Sequence, residues 1–425
     1  MNVLVIGSGG REHAIAKKLL ASPTVAHVYC APGNPGMCQD GIECVAINED
    51  NHASLISFAK TNEIRWTLVG PEQPLINGIV DDFEAAGLKI FGPNQAASQI
   101  EGSKAFAKQI MTQYGIPTAD YQVFSDVEEA RAYVRNGKFP VVIKADGLAA
   151  GKGVIIVQTL EDAYHALDEM LVKQKFGKSS QEVVIEEFLE GEEFSLLSFV
   201  KNETFYPMVI AQDHKRAYDK DRGPNTGGMG AYSPVPQISP AIVNQAIMEI
   251  VKPTVLGMID NGTPFTGILY TGLINTSDGP KVIEFNARFG DPETQVILSR
   301  LTSDLAKIID DLFADNIPEI TWSDEVAVGV VLAAKGYPER YEKGVLIPEF
   351  TGEIETFYAG VAEKDNRLVT NGGRVMLLNA TAPDLEQALA KVYQSLDSYQ
   401  ASDLFYRSDI AHRALKYLSD ASAFN

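Results

Sequence analysis

The stretch Lys281-Val-Ile-Glu-Phe-Asn-Ala-Arg-Phe-Gly-Asp-Pro-Glu-Thr-Gln295 decides how the chain is read. Its first seven residues, 281–287, read as a short strand whose successive side chains point to opposite faces. That alternation puts Val282, Glu284 and Asn286 on one face and sends Ile283 and Phe285 into the core. A carboxylate and an amide oxygen then stand side by side, the hard oxygen pair that a magnesium ion shares with water and phosphate. An isolated E-x-N pair would more simply be the solvated face of a half-buried strand. The neighbouring residues change that balance: Arg288, a glycine turn at Gly290, and Asp291-Pro292 as N-cap and first helical residue. A helix start beside two oxygen donors and an arginine suits an anion and its metal.

A chain of 425 residues divides into several domains, with ample apolar material for each core. Hydrophobic content of 45% and charged content of 22% are those of a globular enzyme, not of a disordered chain. A formal net charge of -20 argues against nucleic-acid and membrane-surface roles, so an anionic ligand must be met locally by metal and a few lysines. No apolar run is read as a membrane span, and residues 3–6 are read as a buried strand and not as a signal sequence. Cys30, Cys38 and Cys44 are odd in number and lack C-x-x-C spacing. Free thiols in a reducing cytoplasm are expected, with no zinc site. His165 and His412 are read as packing or surface residues.

Outward from the central stretch, residues 2–92 alternate apolar strands and helical patterns, which is a doubly wound parallel sheet. The first turn, Gly7-Ser8-Gly9-Gly10-Arg11-Glu12, fails as a dinucleotide fingerprint because Glu12 stands where the third glycine belongs, and the second strand ends in Cys30-Ala31-Pro32 without the ribose-binding carboxylate. It suits a phosphorylated metabolite or is a purely structural turn. Further on, Lys144-Ala-Asp-Gly-Leu-Ala-Ala-Gly-Lys-Gly153 lies between two strands. It is no Walker loop, since its second flank is a strand and not a helix. As a glycine-rich hairpin it can fold over phosphates and move as a lid, or be a plain surface hairpin. Residues 186–193, with Glu186, Glu187, Phe188, Leu189 and Glu193, read as a nucleotide hinge or a solvated acidic turn. Residues 212–236, carrying Asp213, read as a long loop closing over a site. The remainder, from residue 325, reads as a small mixed sheet with no obvious acid-base set.

On these motifs, together with Gly70-Pro-Glu-Gln-Pro-Leu75 and Ala211-Gln-Asp-His-Lys-Arg216, the sequence resembles the glycinamide ribonucleotide synthetase family of the ATP-grasp superfamily over essentially its whole length. The resemblance implies an α/β and α+β multidomain fold in four parts: an N-terminal substrate domain (1–103), a lid (104–190), a large catalytic domain (191–324) and a C-terminal domain (325–425). It implies ATP-dependent ligation of glycine to 5-phosphoribosylamine through a glycyl phosphate, with ATP and magnesium or manganese, in a cytoplasmic monomer or weak dimer. Lys104 and Lys144 would meet ATP phosphates, under a loop containing Gly147, Gly151 and Gly153. The hinge residues Glu186, Glu187, Phe188 and Leu189 would face adenine, and Glu193 the ribose. Glu284 and Asn286 would hold the metal. Arg288 would take the glycine carboxylate or the transferring phosphate, Asp213 glycine's ammonium, and Gly9, Gly10, Arg11, Pro71 and Glu72 the phosphoribosylamine. Asp291 is placed on the substrate side or as a helix cap. The strand neighbouring Glu284, within residues 265–276, offers no second metal carboxylate.

Overall fold

A computed structural model describes residues 1–149, 153–399 and 403–423. The N-terminal sheet is parallel throughout, in the order Glu43–Cys44, His27–Pro32, Asn2–Gly7, Ile64–Val69, Ile90–Phe91. Its central strands are apolar on both faces because helices cover both, as Val3, Leu4, Val5 and Ile6 at 0% exposure record. The order reverses between Asn2–Gly7 and Ile64–Val69, so a crevice opens at their carboxyl ends, beside Gly7-Ser8-Gly9 and Gly70-Pro71-Glu72.

The lid is a four-stranded antiparallel sheet, ordered Tyr121–Phe124, Val183–Glu187, Val141–Ala145, Val154–Val157. The expected glycine-rich hairpin joins its last two strands, closed at the base by Ala145 N–H donating to the Gly153 carbonyl at 2.8 Å. Residue Gly151 lies outside the described residues. A second four-stranded sheet, ordered Thr204–Pro207, Glu192–Lys201, Thr266–Thr276, Gly279–Asn286, carries the central stretch on its edge.

Three features depart from the sequence reading. Residues 212–236 are not a structureless loop: they hold the Arg216–Tyr218 and Arg222–Asn225 hairpin and the Gly230–Ser233 strand. That last strand pairs with Val326–Ala334, so the C-terminal sheet runs across the expected boundary at 324/325. The backbone edge of Gly230–Ser233 finds its ladder partners in the C-terminal segment, and short strands of three or four residues give too weak a local signal to announce this. Finally, helix Pro240–Asp260 has the length and apolarity to cross a membrane by composition alone. It is tolerant of Pro253 because a wide turn at Ile247–Val251 precedes it. Its Ala246, Ile250, Val251, Val255 and Met258 pack into the largest core cluster.

Candidate active site

Glu284 and Asn286 lie on the Gly279–Asn286 strand opposite Gly272 and Tyr270 of the neighbouring Thr266–Thr276 strand. The register slips between Gly272 and Leu273, so Ile283 is unpaired and the strand bulges there. This corrects the simple alternation: Val282 and Phe285 both point into the core, at 0% and 3% exposure, and Glu284 and Asn286 are left together on the other face. The freed Ile283 carbonyl accepts from Lys144 Nζ at 3.2 Å, and the Val282 carbonyl from Thr118 Oγ1 at 2.8 Å. The bulge thus ties the lid to the Glu284 strand.

Glu284 sits among cations. Burial opposes its charge, but Lys215, Lys144, Lys104 and Arg288 together hold its carboxyl below the ordinary range. Lys104 follows Ser103, whose hydroxyl caps the helix Lys104–Gln113, and its ammonium donates to the Gly147 carbonyl at 3.0 Å. Lys144, on the lid, pairs with Glu186 at 2.9 Å. Glu186 also faces Lys108 at 3.3 Å, while its buried Oε1 has no hydrogen-bond partner among the described residues. Beyond it the Phe188 and Leu189 backbone groups have no hydrogen-bond partner among the described residues. Glu187 is exposed, its carboxylate accepting from Asp120 N–H at 3.2 Å. Glu193 faces Lys215 at 3.5 Å.

Arg288 is more heavily engaged than its sequence position suggests. Its guanidinium pairs with Glu101 at 2.8 Å and Glu72 at 3.1 Å and donates to the Phe289 carbonyl at 3.2 Å, with Asn286 Oδ1 at 3.4 Å. Burial works against Glu72's charge, but Arg288 and Arg11 hold its carboxyl down to about 2. Burial pushes Glu101 up to about 7 in spite of Arg288. Asp213 is also pushed up to about 7, by burial and by Glu293, Glu193 and Glu284, against the pull of Lys215.

Asp291 does not cap its helix. Helix Glu293–Arg300 begins two residues later with Pro292 at the cap position, and the Asp291 carboxylate accepts instead from Gln295 Nε2 at 2.9 Å. Its carbonyl accepts from Arg374 of the C-terminal sheet at 2.9 Å. In the N-terminal crevice, Glu12 bends back into the glycine turn and accepts from Gly9 N–H at 2.7 Å. A Cβ on Gly70 would come within 2.1 Å of the Glu12 carboxylate, so this side chain packs directly against the Gly70 backbone. Arg11 donates to Glu12 and to the Phe289 carbonyl, the latter at 3.0 Å. Gly10 lies against Gln295, and Pro71 packs against Gly7 of the glycine turn.

Sequence reasoning missed Glu101, Lys215, Glu293 and Arg374. Glu293, 3% exposed, accepts from Tyr270 OH at 2.7 Å and Ser195 Oγ at 3.3 Å. Lys215 and Glu293 lie inside the motifs 211–216 and 288–295 and carried that much signal; Glu101 and Arg374 carried none. A cavity of about 370 Å³ opens between the lid strand Val154–Val157, Arg216 and Pro338. It flanks the cleft and does not include Glu284 or Asn286.

Models of phosphoribosylglycinamide synthetase match in three parts: the N domain over residues 1–101, the ATP-grasp (A) domain over 102–294 and the C domain over 327–413. A phosphoribosylamine-glycine ligase of Streptococcus pneumoniae serotype 4 is 57% identical over 420 residues, which is 98% of this chain and 100% of the relative. The chain belongs to the phosphoribosylglycinamide synthetase family. A Streptococcus suis relative of the same name is 56% identical with the same coverage. Among solved structures, the phosphoribosylamine-glycine ligase of Thermotoga maritima superposes with a TM-score of 0.84 at 35% identity, covering 96% of this chain and 100% of that one. The biotin carboxylase of Campylobacter jejuni shares the fold, with a TM-score of 0.73 at 14% identity over 95% of this chain and 92% of that one. Membership of the synthetase family matches the multidomain α/β architecture, with an ATP-grasp unit between N- and C-terminal units.

Proposed function

We infer that the protein is a carbon-nitrogen ligase that joins glycine to 5-phosphoribosylamine at the expense of ATP, giving glycinamide ribonucleotide, ADP and phosphate. The observation that carries this reading is Glu284 kept ionised beside Asn286 by Lys104, Lys144, Lys215 and Arg288. Lys144, Lys215 and Arg288 each also meet another carboxylate, and a polyphosphate bound here would bring all four cations further anionic oxygens.

The donor set fits a magnesium or manganese ion. No group of three His, Cys, Asp or Glu is gathered among the described residues, so one carboxylate and one amide would share the ion with nucleotide oxygens and water, as magnesium prefers. Bound by Glu284 and Asn286, the ion would neutralise charge on the phosphate oxygens. Lys104 and Lys144 hold the phosphates from the lid side. The open Phe188–Leu189 backbone receives the adenine edge, and Glu193 the ribose. Glu186 and Glu187 stand beside the adenine, the first also pairing with Lys144 and the second accepting from Asp120 N–H.

In this reading a glycine carboxylate oxygen attacks the γ-phosphorus and ADP leaves, giving a glycyl phosphate. The amine of phosphoribosylamine then attacks the acyl carbon, loses a proton and displaces phosphate. Positioning and charge neutralisation do most of this work, and no nucleophilic side chain is required. Asp213 pairs with glycine's ammonium. Arg288 orients the glycine carboxylate or transferring phosphate, and its bonds to Glu72 and Glu101 fix the plane of its fork. Gly9, Gly10, Arg11, Pro71 and Glu72 line the crevice that takes phosphoribosylamine, with Asp291 at its inner edge. The hairpin of Gly147, Gly151 and Gly153 shields the acyl phosphate from water. The boundaries 1–103, 104–190 and 191–324 describe the working units, the last sharing its outer sheet with the C-terminal segment.

ADP release measured with magnesium-ATP tests the reading: it should require glycine and phosphoribosylamine together. Release driven equally well by bicarbonate would transfer the chain to carboxylase chemistry, and ATP binding without turnover would make it a binding protein.

A further inference from the structure

The three cysteines play no part in the ligase chemistry, yet two of them are not independent. Cys38, in the short helix Pro35–Gln39, and Cys44, in the strand Glu43–Cys44, place their sulfur atoms 2.7 Å apart. The intervening chain is already folded back on itself: Gly41 N–H donates to the Cys38 carbonyl and Ile42 N–H to the Met37 carbonyl, both at 3.3 Å. Bringing the two thiols together therefore requires almost no loss of chain entropy. Cys38 is exposed and meets solvent oxidants first, while Cys44 is half-buried behind it. Burial and the hydrogen bond that Cys38 donates to it push the Cys44 thiol up to about 12, and the Cys44 S–H itself donates to the Asn34 carbonyl at 3.3 Å. Cys30 is different. It is fully buried, and its sulfur donates to the Gly7 carbonyl at 3.3 Å.

We propose that Cys38 and Cys44 form an oxidisable dithiol, a covalent modification site for small disulfides of the glutathione class. Cys38, as its thiolate, attacks one sulfur of the oxidant, forming a mixed disulfide and releasing one thiolate. Cys44 loses its proton, attacks the Cys38 sulfur and displaces the second thiolate. Two protein thiols are oxidised, and one small disulfide is reduced to two thiols. The resulting bond joins helix and strand directly under Asn34, whose carbonyl faces the Cys44 sulfur at 3.3 Å. The Asn34 side-chain amide in turn donates to the Ser8 carbonyl at 2.8 Å and the Tyr358 carbonyl at 3.0 Å. Oxidation would thus stiffen the point where the glycine turn, the N-terminal sheet edge and the C-terminal sheet meet.

The test is to expose the folded, full-length chain to glutathione disulfide, then count free thiols after denaturation and map the crosslinked peptide by mass. The expected result is a fall from three titratable thiols to one, a Cys38–Cys44 crosslink and no retained glutathione. Cys44→Ser should retain one glutathione on Cys38, and Cys30→Ser should still close the bridge. Three free thiols in the exposed parent, glutathione retained on the parent's Cys38, or a crosslink that includes Cys30 overturns the proposal.

Discussion

At the scale of single residues, the site depends on carboxylates whose charge is set by their neighbours. Asp213 is the clearest case. Burial first, then Glu293, Glu193 and Glu284, raise its carboxyl to about 7, so below that pH it is neutral and cannot pair with an ammonium. The KM for glycine should therefore fall as pH rises from 6 to 8, and Asp213→Asn should lose that dependence while raising KM by roughly 10-fold or more, the worth of a charged hydrogen bond. A flat glycine KM profile in the parent enzyme would remove Asp213 from this role. The chemistry of Glu284 and Asn286 was legible in the sequence because it rests on residue type and a two-residue spacing. Which face Val282 occupies was not, because a bulge at Ile283 interrupts the alternation and nothing local announces it. Nor were the partners of Arg288, since Glu72 lies 216 residues away and only the folded chain brings it near.

At the scale of elements, the hinge and the Arg288 bridge join units that the sequence reading treated separately. Gly191 opens the turn into strand Glu192–Lys201 at φ 158, and a Cβ there would meet the Asn275 carbonyl oxygen at 2.2 Å. Backbone cannot yield as a side-chain tip can. Gly191→Ala should cost about 1–3 kcal/mol by denaturant unfolding and raise the KM for ATP more than that for glycine; an unchanged ATP KM would separate this turn from nucleotide binding. The Glu72–Arg288 pair connects helix Glu72–Ile76 with the Glu284 strand. Because the folded-state pKa of Glu72, about 2, is below its ordinary 4.5, the stabilisation is fully present above pH 4.5 and is lost as pH falls towards 2. Glu72→Gln should accordingly be less stable by about 1–3 kcal/mol at neutral pH. The gap between parent and variant should close across that acid window in urea melts. The central strands Asn2–Gly7 and Ile64–Val69 of the N-terminal sheet were readable in sequence because their apolar runs are near-continuous and glycine follows them. The short strands within residues 212–236 were not, since each gains its stability from partners distant in sequence.

At the scale of the molecule, the C-terminal segment completes a sheet begun in the catalytic region and sends Arg374 to the Asp291 carbonyl. A chain ending at residue 325 would expose the edge of Gly230–Ser233 and the apolar faces of the largest core cluster, which includes Val328, Val330 and Leu378. Such a fragment should aggregate or be rapidly proteolysed instead of folding as an independent ATP-binding unit, and a soluble, cooperatively melting fragment would contradict that. Against an overall charge of -20, the gathering of Lys104, Lys144, Lys215 and Arg288 around Glu284 gives an anionic ligand local partners that the rest of the chain does not offer. The most direct measurement is manganese binding in the presence of ATP, followed by electron paramagnetic resonance in the parent and in Glu284→Gln, alongside ADP release. The variant should bind manganese at least roughly 10–100-fold more weakly, the loss typical even for residues that only support a metal ligand. Turnover should fall by a similar factor with the circular-dichroism spectrum unchanged. Equal manganese affinity and near-normal turnover at limiting metal would contradict the placement of the ion on Glu284 and Asn286.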